Sequence, residues 1–171
     1  VQAALAARGV ASELVTFDTL GDRRLDVPLS AIGEKGLFTA ELEAALRAGD
    51  VDLCVHSLKD LPTELPDDIA AVSLLPREDP RDVLVVRAGV AARTLGELPS
   101  GSRIGTSSLR RRAQLLAAHS GLVALDIRGN VETRLRKLDE GQYEAILLAG
   151  AGLKRLGLAH QSPQAFVLRD G

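Results

Sequence analysis

Apolar residues repeat with two different spacings along the chain, and these spacings predict helices and strands. Phe38, Leu42 and Leu46 recur every four residues, which is typical of one helix face. We therefore predict a helix over residues 36–47, ended by Gly49. Short apolar runs bounded by polar, Gly or Pro residues instead predict strands at residues 53–56, 69–74, 83–86, 102–104, 122–127 and 145–148.

Helical patterns follow the later strands, so strands and helices alternate along the second half of the chain. This alternation is typical of parallel βαβ units. We predict an α/β protein of two lobes, with mostly parallel sheets and flanking helices. A polar run at residues 78–82 is the predicted hinge, and it separates a first domain, residues 1–77, from a second domain, residues 83–171.

The composition indicates a globular protein with an aliphatic core. Hydrophobic residues make up 46% of the 171 residues and charged residues 26%, whereas aromatic residues make up only 2%. No apolar run approaches the roughly 18 residues of a membrane span, and no signal peptide is visible. Cys54 is the only cysteine. We expect it to pack as a small hydrophobe in a reducing compartment, the cytoplasm.

Positive charge is concentrated in one part of the chain. Residues 103–137 carry eight basic and two acidic residues, although the whole chain has a net charge of −2. This asymmetry predicts that the second lobe faces an anionic ligand. The three histidines are scattered without the spacing of metal ligands, so we expect no metal site.

The first predicted strand-to-helix junction of this basic stretch has the features of an anion site. Thr106 and Ser108 precede the helix, and Arg110 and Arg111 lie in its first turn. Cations there oppose the helix dipole at a cost of about 0.3–1 kcal/mol each, and a bound anion reverses that effect. Guanidinium groups also bind carboxylates in a planar, bidentate manner.

The two later junctions carry basic residues in the same place. Arg128 lies in the turn after residues 122–127 and Arg134 on the next helix, while Arg155 follows residues 145–148. Each of these side chains alone would more often belong to a solvated helix face. The three junctions together instead predict a site for several carboxylates.

Another polar group follows the strand predicted at residues 53–56. Ser57, Lys59 and Asp60 come just before Pro62, where regular structure stops. Ligands of open α/β sheets collect beyond the carboxyl ends of the strands, which favours a site here. The spacing leaves open an ordinary turn in which Lys59 and Asp60 pair in solvent.

Four strings of the sequence are specific enough to indicate a family. They are KGLFTAELEAALRAGDVDLCVHSLKDLPTELP, EDPRDVLV, GTSSLRRRAQLL and RGNVETRLRKLDEGQYEAILLAGAGLKRLGL. In this order they closely resemble porphobilinogen deaminases, also called hydroxymethylbilane synthases. The resemblance implies a transferase of tetrapyrrole and heme biosynthesis that deaminates porphobilinogen, releases ammonia and joins four units into linear hydroxymethylbilane. It also implies a covalently attached dipyrromethane cofactor, and two lobes that resemble the plan of type II periplasmic binding proteins.

The resemblance implies roles for individual residues. Asp60 matches the catalytic aspartate, which stabilises positive charge on pyrrole nitrogens and exchanges protons with them. The residues that match cofactor-binding motifs are Ser57, Lys59, Thr106, Ser108, Arg110, Arg111 and Arg128. The residues that match substrate-binding positions are Arg134, Arg155 and Lys35. Lys35 lies beside residues 22–36, which match the family's mobile lid.

Two parts of the family pattern are expected to lie outside this chain. One is an N-terminal strand with a further binding arginine, and the other is a third domain with the cysteine that attaches the cofactor. Cys54 does not match that cysteine, so we expect the 171 residues alone to be inactive. The expected partner is porphobilinogen, with no nucleic acid and no membrane, and the expected state is a monomer.

Two other functions remain open at this point. A two-lobed binding protein for a polycarboxylate small molecule has the same plan, but it has no use for Asp60. Nucleic-acid binding is motivated by the basic stretch, and the near absence of aromatic residues for stacking weighs against it.

Overall fold

The computed structural model of the chain describes residues 1–23, 36–158 and 165–167. The chain forms two compact units, Val1–Leu74 and Leu75–Gly171. The segment predicted as a hinge, residues 78–82, lies within the second unit. Its role as a hinge, and the predicted division at residues 77 and 83, stay predictions.

The first unit contains short helices joined by loops. These are α1 (Gln2–Ala6), α2 (Leu20–Arg23), α3 (Ala40–Ala48) and a 3-10 turn (Leu58–Asp60). The helix predicted at residues 36–47 corresponds to α3. It ends as predicted at Gly49, whose φ of 76° is readily adopted only by glycine.

The strands predicted at residues 53–56 and 69–74 are wrong for this structure, since residues 1–23 and 36–74 contain no strand. A strand needs a neighbour that accepts and donates its backbone hydrogen bonds. No such neighbour lies among the described residues of this unit. Leu53 and Val55 are accordingly exposed rather than packed on a sheet.

The second unit alternates strands and helices, as predicted. Its strands are β1 (Asp82–Val86), β2 (Arg103–Gly105), β3 (Val123–Leu125), β4 (Ala145–Ala149) and β5 (Ala165–Val167). Its helices are α4 (Leu109–Ala118), α5 (Val131–Asp139) and α6 (Gly150–Arg155), with a 3-10 turn at Leu95–Glu97. The strands predicted at residues 83–86, 102–104, 122–127 and 145–148 are confirmed.

The five strands form one mixed sheet in the order β3-β2-β4-β1-β5. β2 runs parallel to β3 and β4, whereas β1 runs antiparallel to β4 and β5. The prediction of a mostly parallel sheet is therefore corrected. The βαβ rule holds for β2, β3 and β4, because α4 and α5 link them. No crossover helix follows β1 in the described chain, so nothing holds β1 to the parallel direction.

Aliphatic side chains cover both faces of this sheet. Leu84 and Leu147 point to one face and pack with Leu115 of α4. Val85 and Ile146, one position along each strand, point to the other face and pack in a second cluster. That cluster includes leucines of α5 and α6, so the second unit has three layers, with helices on both sides of the sheet. Among the described residues, no helix is long and apolar enough to cross a membrane.

Candidate functional site

The topology places several loops of the second unit at one edge of the sheet. The carboxyl ends of β2, β3 and β4 share that edge because these strands are parallel. β1 begins at the same edge, since Asp82 pairs in register with Ala149 at the end of β4. The helix after β2 covers one face, and the helices after β3 and β4 cover the other. The edge formed by the carboxyl ends of parallel strands is where α/β proteins bind ligands.

The loop between β2 and α4 is held by its own hydroxyl groups. Thr106 is buried, its N–H donates to the Leu125 carbonyl (2.8 Å), and its hydroxyl accepts from the Ser108 N–H (3.2 Å). The Ser108 hydroxyl in turn accepts from the Arg111 N–H (3.4 Å) and caps α4. Ser107 donates to the Ile127 carbonyl, which joins this loop to the one after β3. Thr106 and Ser108 therefore lie where the sequence predicted, and both organise the loop.

Arg110 and Arg111 converge on Asp82, the first residue of β1. Arg111 Nη2 lies 2.9 Å from Asp82 Oδ1, and Arg110 Nη2 lies 2.8 Å from Asp82 Oδ2. The side chains of Asp82 and Arg111 are each 13% exposed, whereas that of Arg110 is 59% exposed. Burial raises the pKa of Asp82, but the hydrogen bonds and charges of Arg111 and Arg110 outweigh it and hold the pKa below its usual value.

The loop between β3 and α5 brings in two further guanidinium groups. Arg128 is buried. Asn130 caps α5 by accepting from the Thr133 N–H (2.9 Å), and this fixes where the helix begins. Arg134, in the second turn of α5, folds back and donates from Nε to the Gly129 carbonyl (2.7 Å). Both loop and helix therefore position cations at the same edge of the sheet.

Arg111 and Arg128 both act electrostatically on Arg134, which is half-buried. The pKa of Arg134 lies below its usual value, first because burial disfavours its charge and then because Arg111 and Arg128 repel it. Arg111 Nε is itself buried and has no hydrogen-bond acceptor among the described residues. A partly desolvated guanidinium beside like charges, as at Arg134, and an unsatisfied buried N–H, as at Arg111, are both costly without an anion. This arrangement can bind carboxylates.

Not all of the predicted basic residues join this cluster. Arg155 is the last residue of the short helix α6, so it lies beyond the strand-to-helix junction where the sequence placed it, and it is exposed. The turn after β4 is followed by a helix of only six residues, which carries Arg155 to the opposite terminus. A cation there stabilises the helix rather than opposing it. Elsewhere in the basic stretch, Arg103 pairs with Glu144.

Ser57, Lys59 and Asp60 lie in the first unit, on and just before the 3-10 turn. All three side chains are exposed, and none forms a hydrogen bond or ion pair with described residues. The alternative in which Lys59 pairs with Asp60 in solvent is therefore wrong for this structure. Cys54, nearby, is half-buried, and its Sγ donates to the Leu42 carbonyl (3.4 Å). Burial, then the charge of Glu43, raises the pKa of its thiol, as expected of a packed rather than a reactive cysteine.

Lys35, predicted to bind substrate, lies outside the described residues, as does most of the predicted lid. The structure adds Asp82, which the sequence did not single out. An acidic residue directly before a continuous apolar run, VLVV, was the signal available. This signal identifies Asp82 as a site residue only if β1 is known to be antiparallel, because only that direction brings Asp82 to the edge that holds the arginines. Residues 1–23, 36–158 and 165–167 contain no cluster of His, Cys, Asp or Glu that could hold a metal.

Comparisons with known proteins agree with the motifs. The family model described as "Porphobilinogen deaminase, dipyromethane cofactor binding domain" matches residues 1–170. The porphobilinogen deaminase of Roseiflexus castenholzii is 59% identical over 158 residues, which is 92% of this chain and 50% of the relative. That of Shouchella clausii is 58% identical over the same shares, and that of Gloeobacter violaceus is 56% identical over 85% of this chain and 44% of the relative.

The chain thus spans about half the length of the curated relatives it matches. The family model alone covers nearly all of it, and identity well above half extends over most of its residues. The resemblance indicated by the four strings is confirmed. The chain belongs to the porphobilinogen deaminase family.

Proposed function

We propose that this protein deaminates porphobilinogen and joins four molecules of it into linear hydroxymethylbilane, with release of ammonia. The observation that carries the proposal is the placement of Arg111, the buried Arg128 and the half-buried Arg134 at the carboxyl ends of the parallel strands, where burial and then repulsion by Arg111 and Arg128 lower the pKa of Arg134. Each pyrrole of such a chain bears an acetate and a propionate. A growing chain therefore brings many carboxylates, which suit a cluster of guanidinium groups.

The residues of the second unit fit the dipyrromethane cofactor named in the family description. The buried Nε of Arg111 lacks an acceptor, and a carboxylate of the cofactor would provide one. Arg110, Arg111 and Arg128 would hold the acetate and propionate groups, beside the hydroxyls of Thr106 and Ser108. When bound, the cofactor supplies the pyrrole to which the first porphobilinogen unit is joined. Arg134 would bind a carboxylate of the substrate.

Asp60 is the residue we assign to proton transfer. Its carboxylate is exposed and has no partner among the described residues. It is therefore available to lie against the pyrrole nitrogens of bound substrate, where it would stabilise positive charge and exchange a proton. Ser57 and Lys59, on the same turn, would contact the cofactor. Lys59 would do so through a carboxylate, because its ammonium group has no competing acid in the described chain.

The remaining parts of the proposal concern the substrate path and the state of the protein. Lys35 and Arg155 are proposed to contact incoming porphobilinogen. We also propose a two-lobed plan of the type II periplasmic binding protein kind, which the division into two compact units and the α/β sheet of the second unit support. We propose a monomer with no nucleic-acid or membrane partner. The single cysteine, which has no possible disulfide partner within the chain, supports a cytoplasmic location.

The test compares Asp60→Asn with Asp52→Asn in the protein as its gene encodes it. Asp52 is an exposed acid of the same unit, eight residues earlier, and it serves as the matched control. We expect Asp60→Asn to slow ammonia release from porphobilinogen by about 100-fold or more, the usual scale of a lost acid–base group, and Asp52→Asn to leave it unchanged. If Asp60→Asn keeps full turnover, the catalytic assignment is wrong. If the unmodified protein binds porphobilinogen without releasing ammonia, the protein is a polycarboxylate-binding protein instead.

A further inference from the structure

Asp82 lies in the middle of the arginine cluster, although it carries the same sign of charge as the proposed ligands. Each of its carboxylate oxygens accepts from a different arginine, Oδ1 from Arg111 and Oδ2 from Arg110. Two roles are compatible with such a contact. Asp82 either holds the guanidinium groups in place for the ligand or competes with the ligand for them.

The surroundings of Asp82 favour the first role. Its backbone belongs to β1 and is in register with Ala149 of β4. The preceding carbonyl, of Arg81, accepts from the Gly150 N–H (3.1 Å), so the strand is also tied to the start of α6. A carboxylate on so firmly held a backbone, and only 13% exposed, does not swing away when a ligand arrives.

The two arginines also differ in a way that suits a positioning role. Arg111 is held twice, by Asp82 and by the Leu147 carbonyl, which accepts from its Nη1 (3.3 Å). Its buried Nε has no acceptor among the described residues, which leaves that N–H for a ligand. Arg110 is largely exposed, and its other contact is with Gln114 on the same helix (2.9 Å). Asp82 is the partner that Arg110 and Arg111 share in the described chain, so without it no hydrogen bond or ion pair of the described residues links the two side chains, and their like charges drive them apart.

We propose that Asp82 is a positioning residue that holds Arg110 and Arg111 side by side, so that a ligand carboxylate meets them already aligned. The inference rests on the proposed function, since it concerns the same polycarboxylate site. Alignment in advance spares the ligand the cost of ordering two flexible side chains. The arginine cluster also keeps a net positive charge, because the single carboxylate of Asp82 neutralises it only partly.

The experiment measures binding of citrate, a small tricarboxylate, by calorimetry at fixed ionic strength. We expect Asp82→Asn to weaken citrate binding by about tenfold, because the amide keeps the size of the side chain but not its charge. Asp82→Glu, which restores the charge, should recover part of the loss. In an Arg110→Gln background, Asp82→Asn should have a smaller effect, because one of the two side chains that Asp82 positions is already gone. A purely structural role predicts neither the rescue nor this coupling.

Glu144→Gln is the matched control. Glu144 also pairs with two arginines, but at the other end of the sheet, so its substitution should lower stability without changing citrate affinity. If Asp82→Asn binds citrate as tightly as the unmodified protein, or more tightly, Asp82 does not position the arginines. Absence of citrate binding by the unmodified protein would also overturn the inference, whereas absence of ammonia release would overturn the proposed function. Should Asp82→Asn not fold, Asp82→Glu takes its place: its effect on citrate affinity should shrink in an Arg110→Gln background, and an equal effect in both backgrounds would contradict the proposal.

Discussion

Each end of the second unit's sheet has a carboxylate paired with two arginines, but the two ion-pair clusters have different roles. At the amino ends of the parallel strands, Glu144 meets Arg103, with Nη2 to Oε1 at 2.7 Å, and Arg87 at 3.8 Å. At the carboxyl ends, Asp82 meets Arg110 at 2.8 Å and Arg111 at 2.9 Å. Each end therefore has one carboxylate between two guanidinium groups. The carboxyl end differs in its additional cations, the buried Arg128 and the half-buried Arg134.

This difference separates a contact that stabilises the fold from one that prepares a site. Arg103 donates to Glu144 from its backbone as well as from its side chain, and it also donates to the Gly141 carbonyl. Its hydrogen bonds are largely satisfied within the protein. At the other end, Arg134 is desolvated beside like charges, and Arg111 keeps an N–H without an acceptor. Charges that destabilise a ligand-free protein are typical of binding sites.

Replacement of Arg134 by Met tests this comparison with the largest expected effect. We expect Arg134→Met to weaken citrate binding by about a hundredfold, since a charged hydrogen bond is worth about 1.5–3 kcal/mol. The stability of the ligand-free protein should fall by less than about 1 kcal/mol, because removal of a repelled, partly desolvated charge offsets the lost bond to Gly129. Calorimetry and urea unfolding measure the two quantities.

Arg103→Met is the control at the opposite end. It removes the main partner of Glu144, so it should lower the free energy of unfolding while citrate affinity stays within about twofold of the unmodified value. The comparison of the two ends is wrong if Arg134→Met destabilises the protein as much as Arg103→Met does. It is equally wrong if Arg103→Met weakens citrate binding.

The sequence predicted the second unit better than the first, for a physical reason. Its strands are bounded by turn residues and covered by local helices, so apolar periodicity alone identifies them. Residues 53–56 and 69–74 are also apolar. A strand, however, forms only beside a paired neighbouring strand, and apolar periodicity does not show whether such a strand is present. The apolar pattern also does not indicate the direction of a strand. The antiparallel course of β1 depends on pairing with β4, some 60 residues later in the chain.

The sequence likewise predicted some residues of the candidate site and not others. Arg110, Arg111, Arg128 and Arg134 were found because each follows a strand whose carboxyl end is at one edge of the sheet. Asp82 was missed because it precedes its strand. The sequence assigns Arg155 to the third strand-to-helix junction, yet α6 is so short that the residue lies at the end of the helix. Local position along the chain therefore identifies a site residue only where strand direction and helix length are known.

A second prediction compares glycines at the two ends of the sheet. Gly129 and Gly101 both have a positive φ, 112° and 84°. A Cβ at Gly129 would lie 2.6 Å from Thr133 Cγ2, whereas one at Gly101 would meet nothing within 4 Å. We expect Gly129→Ala to lower the free energy of unfolding by about 3 kcal/mol, from backbone strain and the clash, and Gly101→Ala by about 1 kcal/mol, from strain alone.

The Gly129 substitution should also weaken citrate binding, because the Gly129 carbonyl holds Arg134 Nε. Gly101→Ala should leave citrate affinity unchanged. Thermal unfolding and calorimetry on the two variants separate these effects. Equal losses of stability would mean that the turn after β3 relaxes to admit the methyl group, and that the loop does not hold Arg134 as tightly as its contacts indicate.

The smallest expected effect concerns pH at the amino end. Hydrogen bonds and charge from Arg103 lower the pKa of Glu144 from 4.5 to about 2, against the opposing effect of burial. A depressed folded-state pKa contributes stability that is present above pH 4.5 and is lost as pH falls towards 2. We expect Glu144→Gln to lower the free energy of unfolding at neutral pH by about 1 kcal/mol, since the pair is partly screened by solvent. Across pH 4.5 to 2, urea unfolding of this variant should depend less steeply on pH than that of the unmodified protein, because its amide does not titrate. An unchanged slope would mean that the charge of Glu144 does not stabilise the fold. The proposed difference between the two ends, in which Glu144 stabilises the fold and Asp82 prepares a site, would then be wrong.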